Sequence, residues 1–256
     1  MKKNISTKPF TYYNNYYDLL YRDKDYKRES DYVVEHLKSI TPNASNILEL
    51  GSGTGNYAKH FCESGLRVTG IEISQQMADI ALAKNIQGFT TVTGDIAEFD
   101  LNEIFDGAIA LFHVVSYLVS NKKIIECFNR VNKHLKPGSV FIFDVWYSPA
   151  VYVQSPKKTV KEVKQGDLAV SRVAHPVVNY SENTVDVIYE MTIQREGEHK
   201  SEKFEETHIL RHFGTPEIKL FAALTGFIFL KAEEFLTSKS PGADTWGVCY
   251  ILQKHA

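Results

Sequence analysis

Three glycines at alternate positions, Gly51, Gly53 and Gly55, follow an apolar run that contains one carboxylate, Glu49. A glycine turn between a strand and a helix offers backbone N–H groups and bare main chain to a ligand. The spacing is GxGxG, with Asn56 in place of the close-packing glycine of a dinucleotide fingerprint. A carboxylate two residues before the turn would repel a pyrophosphate and suits a ligand with an ammonium group. Two further acids end apolar runs downstream. Glu72 can accept both hydroxyls of a ribose, and Asp95, in "TGDIAEF", can accept an adenine amino group.

The elements that must position these acids alternate. "NILEL", "RVTGIEI", "GFTTVTGDI", "FDGAIALF" and "SVFIFDVW" read as five buried strands. Between them lie helical stretches: "NYAKHFCESG", ended by Gly65; "SQQMADIALAKN", with Ser74 as N-cap; and "NKKIIECFNRVNKHLKPG", with a Pro-Gly stop. Such alternation predicts right-handed βαβ units and a parallel sheet. All three acids then fall at C-terminal strand ends, where open α/β sheets bind ligands.

Upstream, residues 1–14 are polar and read as loose or as a short lid. Residues 15–40 have helical spacing, with Leu19, Leu20, Tyr26, Val33, Val34 and Leu37 facing inward. After the fifth strand the period changes. Residues 158–213 alternate, with Val185, Val187, Tyr189, Met191 and Ile193 on one face, which predicts an inserted antiparallel meander of three or four strands. A helix ("PEIKLFAALTG") and two strands ("FIFLKAEEFL", "TWGVCYILQK") complete the main sheet. The expected fold is α/β: a Rossmann-like, mostly parallel seven-stranded sheet with helices on both faces, plus the meander. The expected organisation is an N-terminal helical lid region at 1–40, a cofactor-binding core at 41–150, an inserted sheet at 151–214 that caps the acceptor or forms a dimer surface, and a C-terminal part of the core at 215–256.

A ligand with amine, ribose and adenine in this order, and a positive sulfonium besides, is S-adenosylmethionine. The motifs "ILELGSGTGNYA", "GIEIS", "GDIAEFD" and "HLKPGSVFIFDVW" resemble those of class I S-adenosylmethionine-dependent methyltransferases over residues 45–146. The candidate cofactor set is Glu49, Gly51, Ser52, Gly53, Gly55, Glu72, Ile73, Asp95, Ile96, Phe112 and Tyr26.

Methyl transfer needs an unprotonated nucleophile held near the methyl and shielded from water. Residues in four places could supply that environment: the aromatic "YYDLLYRDKDYKRE", "FHVVSYL" with His113 and Tyr117, "DVWYSP" with Asp144, Trp146 and Tyr147, and "SRVAHPV" with Arg172 and His175. "YDLLYRDKDY", "SYL", "VWYSP" and "SRVAHPV" are similar to N,N-dimethyltransferases of nucleotide-linked amino sugars. That resemblance implies a 3-amino-deoxyhexose on a nucleoside diphosphate as acceptor, two successive methylations and a homodimer. It implies that Tyr17 faces the sugar, Tyr117 the amine, and Trp146, Arg172 and His175 the acceptor. His113 departs from the pattern, where a small residue is expected.

On the residues alone, Tyr117, His113 or His175 could take the proton of an amine, or water could. Arg172 has the fork that suits a diphosphate. On an alternating strand, however, Arg172 and His175 point to opposite faces. A carboxyl, hydroxyl or non-sugar amine acceptor stays open, as does a non-catalytic S-adenosylmethionine-binding protein. His208 and His212 read as solvent-facing histidines, and no metal is expected. The 256 residues carry a formal net charge of −2, which gives no basic surface for nucleic acid. There is no apolar span for a membrane and no signal-peptide pattern. Cys62, Cys127 and Cys249 are far apart and read as buried thiols, which points to the cytoplasm.

Overall fold

A computed structural model describes residues 4–6, 9–198 and 200–256. Residues 1–3, 7 and 8 of the expected lid lie outside the described residues. In chain order the elements are β1 (Asn4–Ser6), α1 (Tyr17–Leu20), α2 (Tyr26–Ile40), β2 (Asn46–Leu50), α3 (Asn56–Glu63), β3 (Arg67–Glu72), α4 (Gln75–Ala83), β4 (Phe89–Thr93) and β5 (Phe105–Ala110). They continue with α5 (Asn121–His134), β6 (Leu135–Trp146), α6 (Ser148–Gln154), β7 (Thr159–Gln165), β8 (Leu168–Asn179), β9 (Thr184–Arg195) and β10 (Glu202–Arg211). The chain closes with α7 (Thr215–Leu224), β11 (Phe227–Glu234) and β12 (Gly247–Lys254).

These elements form two compact units. One comprises Asp25–Val153 with His212–Ala256. Its seven-stranded sheet has the order β11-β12-β6-β5-β2-β3-β4. β2 pairs in parallel with β3 and β5, β3 with β4, and β5 with β6, while β12 runs antiparallel to both β6 and β11. The chain winds outward from β2 to β4, then restarts at β5 on the other side of β2. That reversal is the switch point at which such sheets open a crevice. β2 and β5 are buried along their whole length, as expected for parallel strands covered on both faces. One face is closed by Phe128, Phe141, Phe143, Phe221 and Tyr250. Burial of each such ring contributes roughly 1.5–3 kcal/mol.

The other unit comprises the described residues of Met1–Lys24 with Gln154–Arg211. β7 to β10 form a four-stranded antiparallel meander, and β1 adds in parallel to β10. Val170, Met191, Ile193 and Phe204 pack with Tyr13 and Leu20 in its core.

Three local readings change. The helical spacing of residues 15–40 is not one helix: α1 ends at Leu20, and α2 starts afresh behind Asp25, whose carboxylate accepts from Arg28 N. That cap marks the boundary between the two units. The helix ahead of the fifth strand ends at His134, and β6 already carries Pro137. A residue before proline avoids the helical region, so Lys136 is driven into extended backbone. α6 was not expected; Pro149 stands in its first turn, where its missing N–H costs nothing.

His208 and His212 are buried, not solvent-facing. His208 Nε2 lies 2.9 Å from Glu206 Oε1, and His212 Nδ1 lies 2.8 Å from Ser148 Oγ. A short polar partner within reach of each ring makes burial affordable, which strand alternation alone does not reveal. No helix among the described residues is long and apolar enough to cross a membrane.

Candidate active site

The glycine turn closes the gap between β2 and α3. Gly51, Gly53 and Gly55 all have left-handed backbone, with φ of 64°, 54° and 79°. Gly51 N and Ser52 N donate to Ile71 O at 2.7 and 3.2 Å, which binds the turn to β3. At Gly51 a Cβ would meet Val114 Cγ2 at 2.5 Å, so the turn after β5 packs directly on this glycine. At Gly53 the nearest atom to a Cβ is Met77 Cε at 3.8 Å, so the main chain there faces open space. The Ser52 hydroxyl turns away, to Thr91 Oγ1 at 2.9 Å, in room left by Gly70. The Ser52 hydroxyl is therefore already partnered, as are its backbone N and O.

Glu49 is buried, and its Oε2 has no hydrogen-bond partner. Burial, with the charge of Glu72 adding to it, holds its pKa well above the usual carboxylate range. Glu72 is also buried but is tethered: Oε2 accepts from Gly53 N at 2.8 Å and Oε1 from Ser74 N at 2.8 Å. Burial raises its pKa, and these backbone N–H groups oppose the rise. Asp95 is partly exposed. Its Oδ1 accepts from Ala97 N at 2.8 Å, and its Oδ2 lies 3.2 Å from Lys123 Nζ, a partner on α5 that the strand-end pattern does not reveal.

The apolar candidates divide. Ile73 is 60% exposed beside Glu72, Ile96 is buried, and Phe112 is half-buried with φ of 65°. Tyr26 opens α2 and meets Tyr57 edge-on at 4.9 Å. These residues suit S-adenosylmethionine: an unsatisfied buried carboxylate answers a cationic amine, Glu72 has spare lone pairs for hydroxyls, and the backbone at Gly53 leaves room for a close approach.

Beyond β5, Phe112 and His113 both adopt left-handed backbone, and a 3-10 turn spans Val114–Tyr117. His113 Nδ1 lies 2.7 Å from Asp144 Oδ2, and His113 N donates to Asp144 Oδ1 at 3.3 Å. The His113 ring stands edge-on to Trp146, with centroids 6.0 Å apart. Tyr117 is half-buried at the end of the turn. Asp144 is buried on β6, and only its place before Trp146 signalled it in the sequence.

The other unit holds Tyr17, Arg172 and His175. Arg172 Nη1 donates to Tyr13 Oη at 2.8 Å and to Tyr21 Oη at 3.0 Å. Its guanidinium also lies over the rings of Tyr189, at 5.1 Å, and Tyr21, at 5.8 Å. Tyr17 tilts against Tyr21, with centroids 4.9 Å apart. His175 lies 3.6 Å from Glu190 and on the opposite face of β8 from Arg172. Alternation separates the two without a bulge. Among the described residues no group of three or more His, Cys, Asp or Glu side chains is disposed to hold a metal ion.

Comparison with known proteins is consistent with this geometry. The sequence model of a methyltransferase domain matches residues 47–138. The chain is 27% identical over 203 residues to dTDP-3-amino-3,4,6-trideoxy-alpha-D-glucopyranose N,N-dimethyltransferase of Streptomyces venezuelae, covering 78% of this chain and 84% of that protein. It is 27% identical over 175 residues to dTDP-4-amino-2,3,4,6-tetradeoxy-D-glucose N,N-dimethyltransferase of Saccharopolyspora spinosa, covering 68% and 70%. Among solved structures, a sugar N-methyltransferase from Streptoalloteichus superposes with a TM-score of 0.81 at 19% identity, over 94% of this chain and 93% of that one. At that identity the likeness shows the fold.

Proposed function

We propose that this chain, which is an S-adenosylmethionine-dependent methyltransferase, methylates the amino group of a nucleotide-linked amino sugar. The observation that carries the reading is the reach of the similarity. It extends over 203 residues, far beyond the methyltransferase domain at 47–138, and the relative it reaches is named for a dTDP-amino sugar. Sequence outside the cofactor core is where acceptor choice resides in such folds.

Each part of the parallel-sheet unit has a task in this reading. Glu49 meets the ammonium of the cofactor, Glu72 the ribose hydroxyls, and Asp95 the base. When bound, the cofactor supplies an electrophilic methyl carbon. Tyr117, His113 and Trp146 hold the acceptor amine and keep water away from it. In the antiparallel unit, Tyr17 belongs to a packed aromatic group with Tyr21.

A homodimer belongs to the same proposal. Val160, Val177 and Ile209 are exposed on β7, β8 and β10, on one face of the antiparallel sheet. A second copy would cover two such faces by a twofold axis. Light scattering of the purified protein at twice the chain mass supports this, and a monomer at micromolar concentration rejects it.

The acceptor is tested by mass spectrometry after incubation with S-adenosylmethionine and a panel of dTDP-amino sugars, free alkylamines and carboxylic acids. Products heavier by one and then two methyl groups on the amino sugar are expected. Methylation confined to another class would overturn the acceptor assignment and leave the cofactor assignment standing.

A further inference from the structure

We infer that His113 and Asp144 form a proton-accepting dyad for the acceptor amine, with His113 Nε2 as the base and Asp144 as the residue that orients it. The inference rests on the reading that the acceptor is an amine. Two consecutive non-glycine residues, Phe112 and His113, are left-handed, with φ of 65° and 64°. Such backbone is uncommon and persists where its surroundings hold it. Asp144 supplies that hold: its Oδ1 accepts from His113 N at 3.3 Å, and its Oδ2 lies at ion-pair distance, 2.7 Å, from the ring Nδ1. The next residue, Val114, packs on Gly51 of the cofactor turn, so the ring is set beside the site and not remote from it.

The two ring nitrogens differ. Nδ1 lies 2.7 Å from a buried acid, at ion-pair distance but outside hydrogen-bond geometry, whereas Nε2 is set against no acid among the described residues, and the side chain is 22% exposed. A proton on Nδ1, beside the Asp144 carboxylate, leaves the Nε2 lone pair free. The other titratable groups nearby do not compete as bases. Cys249 stands in register with Asp144 on β12, and burial pushes its pKa well up, so it stays a thiol. Tyr32 is engaged with Glu233, which also meets His36 and Lys231. Tyr117 lies four residues on, at the end of the 3-10 turn.

An alkylammonium has a pKa of about 10 and lacks a lone pair at neutral pH. His113 Nε2 takes one proton from it and becomes imidazolium, stabilised by Asp144. The freed nitrogen bonds the methyl carbon and displaces the thioether, which keeps the electron pair of the broken carbon–sulfur bond. The product is a secondary ammonium, so a second methylation requires a second proton transfer, for which His113 must first return its proton to solvent.

Two readouts test this. In protein labelled with 15N-histidine and saturated with S-adenosylhomocysteine, the His113 ring, assigned from His113→Gln, should show the Nδ1–H tautomer at pH 8. Asp144→Asn should move it toward Nε2–H. In kinetics, His113→Gln should lower kcat/KM about 100-fold at pH 7, and the deficit should shrink toward pH 10 as the amine loses its own proton. Cofactor affinity, which also reports folding, should stay within about twofold. An Nε2–H tautomer in the unaltered protein, or a pH profile unchanged by His113→Gln, would overturn the dyad. If the unaltered protein methylates no amine, the function above fails, while the tautomer still decides the His113–Asp144 arrangement.

Discussion

Glu49 on β2 and Glu206 on β10 are both carboxylates withdrawn from water, at 2% and 0% exposure, yet they are in opposite electrostatic states. Glu206 accepts from the backbone N–H groups of Phe10, Thr11, Tyr12 and Tyr13, and lies 2.9 Å from His208 Nε2. Burial pushes its pKa up, but His208 and these N–H groups outweigh burial and hold it below the usual range. Glu49 has an oxygen with no partner, and burial holds its pKa well above that range. A buried acid whose lone pairs are filled ties structure together. One left unfilled at a strand end is, in the proposed reading, the partner of the cofactor's ammonium. Arg172 belongs with Glu206 in this respect, since tyrosine hydroxyls and rings already occupy its guanidinium.

The largest effect should come from breaking the filled acid. Glu206→Ala strips the acceptor from four N–H groups and a buried histidine, and should cost about 3 kcal/mol of stability. Chemical denaturation would read that loss, and proteolysis should cut earlier between residues 9 and 24. Cofactor affinity, measured by calorimetry, should not change. The sign with pH follows from the lowered pKa. The contribution of Glu206 is present above its unfolded pKa and lost as pH falls through the folded one, so acid should release the same segment. A variant that loses cofactor binding with its stability intact would erase the distinction between the two acids.

Next in size is the unfilled acid. Glu49→Gln should weaken S-adenosylmethionine binding by about 2 kcal/mol, or roughly 30-fold. It should leave stability equal or slightly higher, because a costly buried acid is gone. A cationic ligand favours ionised Glu49, whose pKa in the free protein is raised. Binding should therefore release a proton below that pKa, and affinity should rise with pH. Binding heats that are the same in buffers of different ionisation enthalpy would mean that Glu49 is already ionised or takes no part.

The two acids also show what the sequence could disclose. The places of Glu49, Glu72 and Asp95, at or next to strand ends, were legible because parallel strands end at one edge and an acid there interrupts an apolar run; their roles belong to the proposal. The βαβ order was legible for the same reason: period and turn chemistry are local signals. Glu206 was not legible. It sits on an alternating strand among other polar residues, and the backbone N–H groups it accepts from are nearly 200 positions away in sequence. His208 and His212 were misplaced for a related reason, since burial by distant neighbours leaves no local trace. The break between α1 and α2 could have been read from Asp25 as a cap, but helical spacing on both sides concealed it. The His113–Asp144 pair joins two strand ends that become neighbours only once the sheet is wound.

A smaller effect should separate Arg172 from a phosphate clamp. Arg172→Lys keeps the charge but loses the fork between Tyr13 and Tyr21 and the stacking on Tyr189. A loss of about 1.5 kcal/mol in stability is expected. KM for the amino-sugar nucleotide should change less than tenfold. A large rise in KM with unchanged stability would return Arg172 to direct contact with the acceptor.

The smallest effect compares one glycine from each unit. Gly53 and Gly166 have similar left-handed backbone, with φ of 54° and 59°. Neither is crowded, since a Cβ at Gly53 meets nothing nearer than 3.8 Å and one at Gly166 meets nothing within 4 Å. Alanine at either should therefore cost only the backbone strain, about 1 kcal/mol, so the two variants should melt alike. They should differ in binding. Gly53 N is tied to Glu72, and its open side faces the proposed ligand, so Gly53→Ala should also weaken S-adenosylmethionine binding. Gly166 lies in the turn between β7 and β8, and Gly166→Ala should leave affinity unchanged. Equal affinities for both would mean that the open space at Gly53 is not where the cofactor lies, and the assignment of the glycine turn would fall with it.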